Sequence, residues 1–211
     1  MLIAIDHGNK QIKTVHCPPM VSGLQRSLTR PFGNNVLEYQ GEYYTLSARR
    51  MPYRKDKTED ERFFVLTLFA IANEVEAQGG YSEELICVDL AIGLPPAHFG
   101  AQHKAFVAYF KRFDILQFHY HGKAFSLYID NVMCFPQAYA AAVTMINQFV
   151  DSPRTLVLDI GGFTADYLML KKGRADLSTC DSLDNGVILL YNRIKSKVNA
   201  ELDWRFYLIA E

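Results

Sequence analysis

Two octapeptides decide the reading of this chain: Asp6-His7-Gly8-Asn9-Lys10-Gln11-Ile12-Lys13 and Asp159-Ile160-Gly161-Gly162-Phe163-Thr164-Ala165-Asp166. Each grows out of a short apolar run, Leu2 to Ile5 and Thr155 to Ile160, of the kind that makes a buried strand. A carboxylate therefore stands at each strand end with glycine just beyond it. Glycine lets the backbone approach a ligand closely and present successive N–H groups to it. The carboxylates repel bare phosphate, so a phosphate ligand at such a turn requires a cation between them. Mg²⁺ suits that place, because it keeps several waters and bridges carboxylates to phosphates. Lys13 returns on the next strand and can bring a point charge to a phosphate tail. One Asp-x-Gly at a strand end is ordinarily just a turn. Two of them, one with a following Lys and one with a following Thr and Asp, carry weight as a pair.

Outward from these turns, composition sets the class. The chain has 211 residues, 49% of them hydrophobic and 21% charged, which is the balance of a folded protein with a core. Its formal net charge of -1 provides no field to pull it onto nucleic acid or anionic lipid, so direct nucleic-acid binding is not expected. The opening Met1-Leu2-Ile3-Ala4-Ile5-Asp6 lacks the basic and longer apolar regions of a signal peptide. The longest apolar stretch, Phe63 to Ala72, is broken by Thr67 and falls short of the roughly 20 residues a membrane span needs. Cys17, Cys87, Cys134 and Cys180 are widely spaced and read as reduced thiols of a cytoplasmic protein.

The remaining segments alternate between the two periods. Val36–Gln40 and Tyr43–Ser47 flank Gly41-Glu42 as a hairpin, and Phe118–His121 with Phe125–Ile129 flank Gly122-Lys123 as another. Thr58 and Glu61 have capping-box spacing ahead of a helix that runs to about Gln78 and ends at Gly79-Gly80. Leu85–Ile92 predicts a central strand, Ala101–Arg112 a helix extending its aromatic spacing to Phe113, and Pro136–Phe149 a helix with Pro in its first turn. Asp151-Ser152-Pro153 is a break, so the expected domains are 1–151 and 152–211. After it come a strand at Ala165–Leu170, a turn at Lys172-Gly173, a strand at Ala175–Thr179 and a helix starting at Asn185-Gly186. The repeated strand–carboxylate–glycine pattern suggests a duplicated architecture.

The chain resembles the actin-like ATPase superfamily, whose wider relatives include sugar kinases and chaperone ATPases. The first turn is similar to its phosphate-1 pattern, D-x-G-x(4)-K, through Asp6, Gly8 and Lys13. The second is similar to its phosphate-2 pattern, D-x-G-G-x-T-x-D, through Asp159, Gly161, Gly162, Thr164 and Asp166. Ala91-Ile92-Gly93-Leu94-Pro95 resembles a strand end of plasmid-segregation actins of the ParM or StbA type, and Phe135-Pro136-Gln137-Ala138-Tyr139 resembles their connecting helix. The resemblance implies an α/β, ribonuclease-H-like fold with one complete domain and the first part of a second. It implies ATP or ADP with Mg²⁺ in a cleft, Gly8, Asn9 and Lys13 on one side of the phosphates and Gly161, Gly162 and Thr164 on the other. Asp6 and Asp159 would orient the metal's water shell, and Gln137 would place the attacking water. Many relatives carry Glu where Gln137 stands, and a neutral amide orients water without taking its proton, which implies slow hydrolysis. The resemblance further implies self-assembly into filaments and a separate DNA-binding adaptor. Only 45 residues follow Asp166, so the expectation is an N-terminal fragment lacking the adenosine side of the site, with poor ATP affinity.

Other features read more plainly. His119 and His121 share one strand face and could be two metal ligands, but with no third ligand nearby they read as an exposed strand face. His7 sits within the first turn, either touching phosphate or filling a turn position. Arg49, Arg50, Arg54, Lys55 and Lys57 with Tyr53 read as a solvated basic loop offset by nearby acids. Phe63, Phe64 and Phe69 read as core. The terminal apolar run Trp204–Ile209 is expected to pack against something. Three functions stay open: a filament-forming ATPase for DNA segregation, a small-molecule kinase using Asp89 or Asp130, and a non-enzymatic partner-binding fragment.

Overall fold

The computed structural model describes residues 1–54, 56–112 and 114–202. Phe113, Lys55 and the apolar run Trp204–Ile209 lie outside the described residues. The chain divides into two compact units, Met1–Leu94 with Ala101–Phe135, and Pro95–Gly100 with Pro136–Glu211. The division thus falls at Pro136, ahead of the Asp151–Pro153 break where a boundary was expected.

The first unit holds β1 (Leu2–His7), β2 (Gln11–Lys13), β3 (Met20–Val21), β4 (Leu24–Ser27), β5 (Val36–Tyr39), β6 (Glu42–Leu46), α1 (Glu61–Ala77) and β7 (Leu85–Leu94). The later part of α2 (Pro96–Phe110), β8 (Leu116–Tyr120) and β9 (Lys123–Pro136) complete it. Among the described residues nine strands form one sheet in the order β3-β2-β1-β7-β9-β8-β5-β6-β4. β1 runs parallel to β7, pairing Leu2 with Asp89 through Ile5 with Ile92, while β1 and β2 are an antiparallel hairpin. A parallel pair needs a long crossover, and the hairpins and α1 supply it. Two-residue turns close β5 to β6 and β8 to β9, with positive φ at Gln40 and Gly41 and again at His121 and Gly122. That is the backbone hand that suits a twisted hairpin, and it moves each turn one residue ahead of the expected position.

α1 is apolar on every side and every residue from Phe63 to Ala72 is buried. A helix of that kind lies inside a core and not on its surface. Phe64 meets Tyr39 of β5 at 6.2 Å and Phe110 of α2 at 6.4 Å between ring centres, and Phe69 meets Tyr120 of β8 at 5.2 Å. The helix is capped by Asp60, whose carboxylate accepts from the Arg62 N–H at 3.2 Å. Thr58 does not cap it, because its hydroxyl and N–H are both turned onto Asp56 Oδ1, at 2.6 and 2.9 Å. Tyr109 of α2 reinforces the start of α1, donating its hydroxyl to the Asp60 carbonyl and accepting the Phe64 N–H.

The second unit holds α3 (Tyr139–Val143), a 3₁₀ turn at Ile146–Gln148, β10 (Thr155–Ile160), β11 (Ala165–Lys171), β12 (Arg174–Leu183) and α4 (Val187–Leu202). The three strands form an antiparallel sheet with β11 in the middle. Ala142, Leu168 and Leu170 are its buried centre, with Tyr139, Phe149 and Val157 packed against them. The expected long helix from Pro136 to Phe149 is absent. β9 carries strand geometry through Pro136, and Ala138 takes a positive φ of 65° that no helix accepts. β10 is a strand as expected but not a buried one: Leu156, Leu158 and Ile160 are all exposed on the face opposite Val157.

Glu74 of α1 ties the segment just after β2 to the core. It accepts the His16 N–H at 2.7 Å and contacts the His16 ring at 2.8 Å, and Gln78 adds a third bond at 3.0 Å. Burial alone would raise its carboxyl, but the bonds from Thr14, His16 and Gln78 outweigh burial and hold it at about 2. The carboxylate form is therefore favoured by folding. Its contribution is complete above the ordinary value of 4.5 and is lost as pH falls toward 2. Glu74→Gln should lower the melting temperature at neutral pH and flatten its decline across that acid window. A decline as steep as in the unsubstituted protein contradicts the assignment.

Candidate functional site

The first glycine turn closes the β1–β2 hairpin. Asp6 and Lys13 are a registered pair, and Lys13 Nζ stands 3.7 Å from Asp6 Oδ2. Both side chains are roughly half exposed, so the pair itself adds little stability. Gly8 is required by space: a Cβ there would stand 2.5 Å from the Gln11 carbonyl oxygen. Asn9 receives the Arg54 N–H on its side-chain oxygen at 3.5 Å. Asp6, Gly8, Asn9 and Lys13 are thus gathered at one hairpin, as their spacing predicted.

His7 does not face outward from this turn. Its ring is fully buried, Nε2 lies 2.8 Å from Thr67 Oγ1, and the Phe110 ring packs against it, tilted by 34°, at 4.7 Å between centres. Burial, helped by the nearby Lys57 charge, lowers its basicity to about 3, so the imidazole is neutral. Lys57 is a second correction. It is not on a solvated loop but only 6% exposed, with its ammonium donating to the main-chain carbonyl of His7. Arg54 does remain outside, ion-paired to Asp60 at 3.4 Å and near Glu59 at 3.9 Å. His121 leaves the strand face it was expected to share with His119. It sits in the β8–β9 turn, bonded to Glu76 and Asn35 at 2.9 Å each.

The second turn closes the β10–β11 hairpin. The Gly161 N–H donates to the Thr164 carbonyl at 2.8 Å, and Asp159 and Asp166 stand opposite each other in register. α4 starts against this turn, with the Val187 and Ile188 N–H groups on the carbonyls of Gly161 and Gly162 at 3.0 Å. Gly186 permits the approach, since a Cβ there would meet Phe163 and Gly162 backbone carbons at 2.4 and 2.5 Å. Asp166 is buried, and Thr164 Oγ1 donates to its Oδ2 at 3.4 Å. Ser182 stands opposite it across the sheet, and its hydroxyl interacts with the Asp166 carboxylate. Burial, reinforced by the Asp159 charge, pushes the Asp166 carboxyl above the usual carboxylate range. Nothing in the octapeptide alone signalled that Ser182 would join it. Among the described residues no cluster of three or more His, Cys, Asp or Glu is placed to hold a metal.

Gln137 follows the last residue of β9 and does not begin a helix. The Tyr139 N–H donates to its carbonyl at 2.8 Å across Ala138, whose φ of 65° and ψ of -39° make this a γ-turn of the strained hand. Backbone strain of this sort persists where surrounding structure fixes it, commonly beside functional groups. Of the candidate kinase carboxylates, Asp89 accepts from Asn131 Nδ2 at 2.8 Å, and the Asp130 carbonyl accepts from the Lys111 ammonium.

Comparison with known proteins places these features. The family model for the N-terminal domain of actin like proteins matches residues 4–139. An archaeal actin homologue, Ta0583, superposes with a TM-score of 0.79 at 17% identity, covering 98% of this chain and 68% of its own. The same homologue in complex with ADP gives 0.74 at 16% identity, with 98% and 68% covered. The apo ParM protein of pSK41 gives 0.72 at 17% identity, with 94% and 70% covered. The filament of AlfA from B. subtilis plasmid pLS32 gives 0.63 at 17% identity, with 96% and 79% covered, and AlfA has also been solved as a filament bound to AMPPNP. At such identities the likeness is one of fold, and the fold is actin-like. No curated protein matches the sequence.

Two substitutions test the local geometry. Gly186→Ala forces main chain against main chain and should destabilise the second unit by about 2 kcal/mol, read as a lower denaturation midpoint. Ala138→Gly removes strain of about 1–3 kcal/mol against an entropic loss of up to about 1 kcal/mol. It should raise the midpoint, and a lowered one contradicts the γ-turn.

Proposed function

Starting from the fact that this chain belongs to the actin-like proteins, whose N-terminal domain spans residues 4–139, we propose that it is a nucleotide-dependent cytoskeletal protein of the plasmid-segregation type. It binds ATP, assembles with copies of itself and disassembles after hydrolysis. The observation that carries this reading is the pair of hairpins, each with a carboxylate at a strand end and a glycine fixed by close backbone approach. Support comes from relatives of the same fold, one solved with ADP and another as a filament with AMPPNP.

In this reading Gly8, Asn9 and Lys13 contact the phosphate tail, as do Gly161, Gly162 and Thr164. Lys13 now lies against Asp6. It exchanges that exposed carboxylate for phosphate at small cost, since such pairs are weak in water. Gln137, held at the head of the γ-turn, orients the attacking water by hydrogen bonding. It accepts no proton, so turnover is slow, which suits a filament timer.

In this reading the exposed Asp159 carboxylate at the second turn is the oxygen donor that would face Mg²⁺. Asp6 and Asp159 would orient its waters, and the ion when bound would neutralise charge on the terminal phosphates. Partner DNA would be reached through a separate adaptor protein, in keeping with the net charge of -1. No helix among the described residues is long and apolar enough to cross a membrane. A cytoplasmic location follows in this reading from four free cysteines.

The test is sedimentation of the protein. Pelleting with ATP and not with ADP is expected, and Asp159→Ala should abolish phosphate release without changing the melting temperature. ATP turnover that requires a small hydroxylated acceptor, with no pelleting, contradicts the filament and supports a kinase.

A further inference from the structure

The first glycine turn is held by its carbonyl oxygens, and the groups that hold them are remote in sequence. The Lys57 ammonium donates to the carbonyl of His7. The Ser22 hydroxyl donates to the carbonyl of Gly8 at 2.6 Å, and the Ser22 N–H donates to the carbonyl of Lys10 at 3.2 Å. Both holding residues are buried, Lys57 at 6% exposure and Ser22 at 1%. A lysine is seldom taken out of water without compensation. Here the compensation is a main-chain oxygen on one side and the Phe63 ring, 5.8 Å from Nζ to its centre, on the other.

The strand geometry explains why His7 has a carbonyl to offer. Met1 bonds to Cys87 and Asp89 of β7 through its N–H₃⁺ and its carbonyl. Alternation along β1 therefore turns the odd-numbered main-chain groups toward β7 and away from β2. Ile5 with Ile92 is the last registered pair, so His7 lies beyond that ladder and Lys57 reaches it there. Ser22 in turn is placed by Met51, whose N–H donates to the Ser22 carbonyl at 2.8 Å.

Consequences follow from the peptide unit. It is planar and trans, so the N–H after a held carbonyl points the other way. With the Gly8 carbonyl fixed on Ser22, the Asn9 N–H is directed away from Ser22. Glycine leaves its neighbouring peptide planes free to rotate, and a rotated plane would present an oxygen to an anion. We propose that Ser22 and Lys57 are positioning residues for the first glycine turn, holding the His7, Gly8 and Lys10 carbonyls inward so that the turn meets a nucleotide phosphate with N–H ends backed by a lysine charge. Neither residue belongs to either glycine octapeptide. The inference rests on the reading that this turn receives phosphate.

The test uses the full chain with Lys57→Met, Ser22→Ala and Ser22→Thr. Three quantities are measured: MgADP affinity by calorimetry, amide hydrogen exchange over residues 8–11 without ligand, and melting temperature. Lys57→Met and Ser22→Ala should each weaken MgADP about tenfold. They should also speed exchange at residues 8–11 selectively, while Ser22→Thr, which keeps the hydroxyl, retains both properties. Unchanged affinity with unchanged exchange overturns the proposal. So does a loss of affinity that follows a falling melting temperature with exchange raised along the whole chain, which marks general packing. If the unsubstituted chain binds no MgADP, the nucleotide reading fails by itself. The positioning role is then decided by exchange: selective acceleration at residues 8–11 supports it and none overturns it.

Discussion

The Thr67 hydroxyl stands where the core helix meets the first glycine turn. It donates its one hydrogen to the Phe63 carbonyl at 2.8 Å, so His7 Nε2, at 2.8 Å, must be the donor in their contact. That fixes the tautomer of a ring that is neutral because burial disfavours its charge. Through this contact α1 helps set the position of the turn, beside the bonds from Lys57 and Ser22 to its carbonyls. Phe64 and Phe69 lock α1 against β5, β8 and α2, so the turn is backed by that aromatic packing. In the proposed function such rigid backing favours phosphate binding, because dipoles already aimed at the ligand need no reorganisation on binding.

The second turn is built by a different device. Its support is the start of α4, packed so closely that only glycine fits at 186. Its strand carries Val157 toward the buried cluster and Leu156, Leu158 and Ile160 toward the open side. The two hairpins thus share a sequence pattern and differ in how that pattern is held.

Much of this was readable in advance, and for a physical reason. Hairpins, the buried helix and the strand–carboxylate–glycine turns are local features, and local spacing encodes them. Phe63, Phe64 and Phe69 were legible as core because their spacing matches a helix face. The misreadings share a cause too. Lys57 looked solvated because charge predicts exposure on average, and only a carbonyl fifty residues away in sequence reverses that. Thr58 had cap spacing but was drawn to Asp56, and Asp60 served instead. Proline at 136 suited a helix start equally well, yet strand β9 runs on to it. Ser22 carried no signal at all, since a lone serine between two short strands becomes meaningful only when its neighbours across space are known.

The proposed function requires that each glycine hairpin respond to nucleotide phosphate. Titrating isotopically labelled protein with MgADP and following the Asn9 and Gly162 amide resonances tests it most directly. The account predicts that both move, while adenosine moves neither. Movement of only one, or of neither, contradicts it.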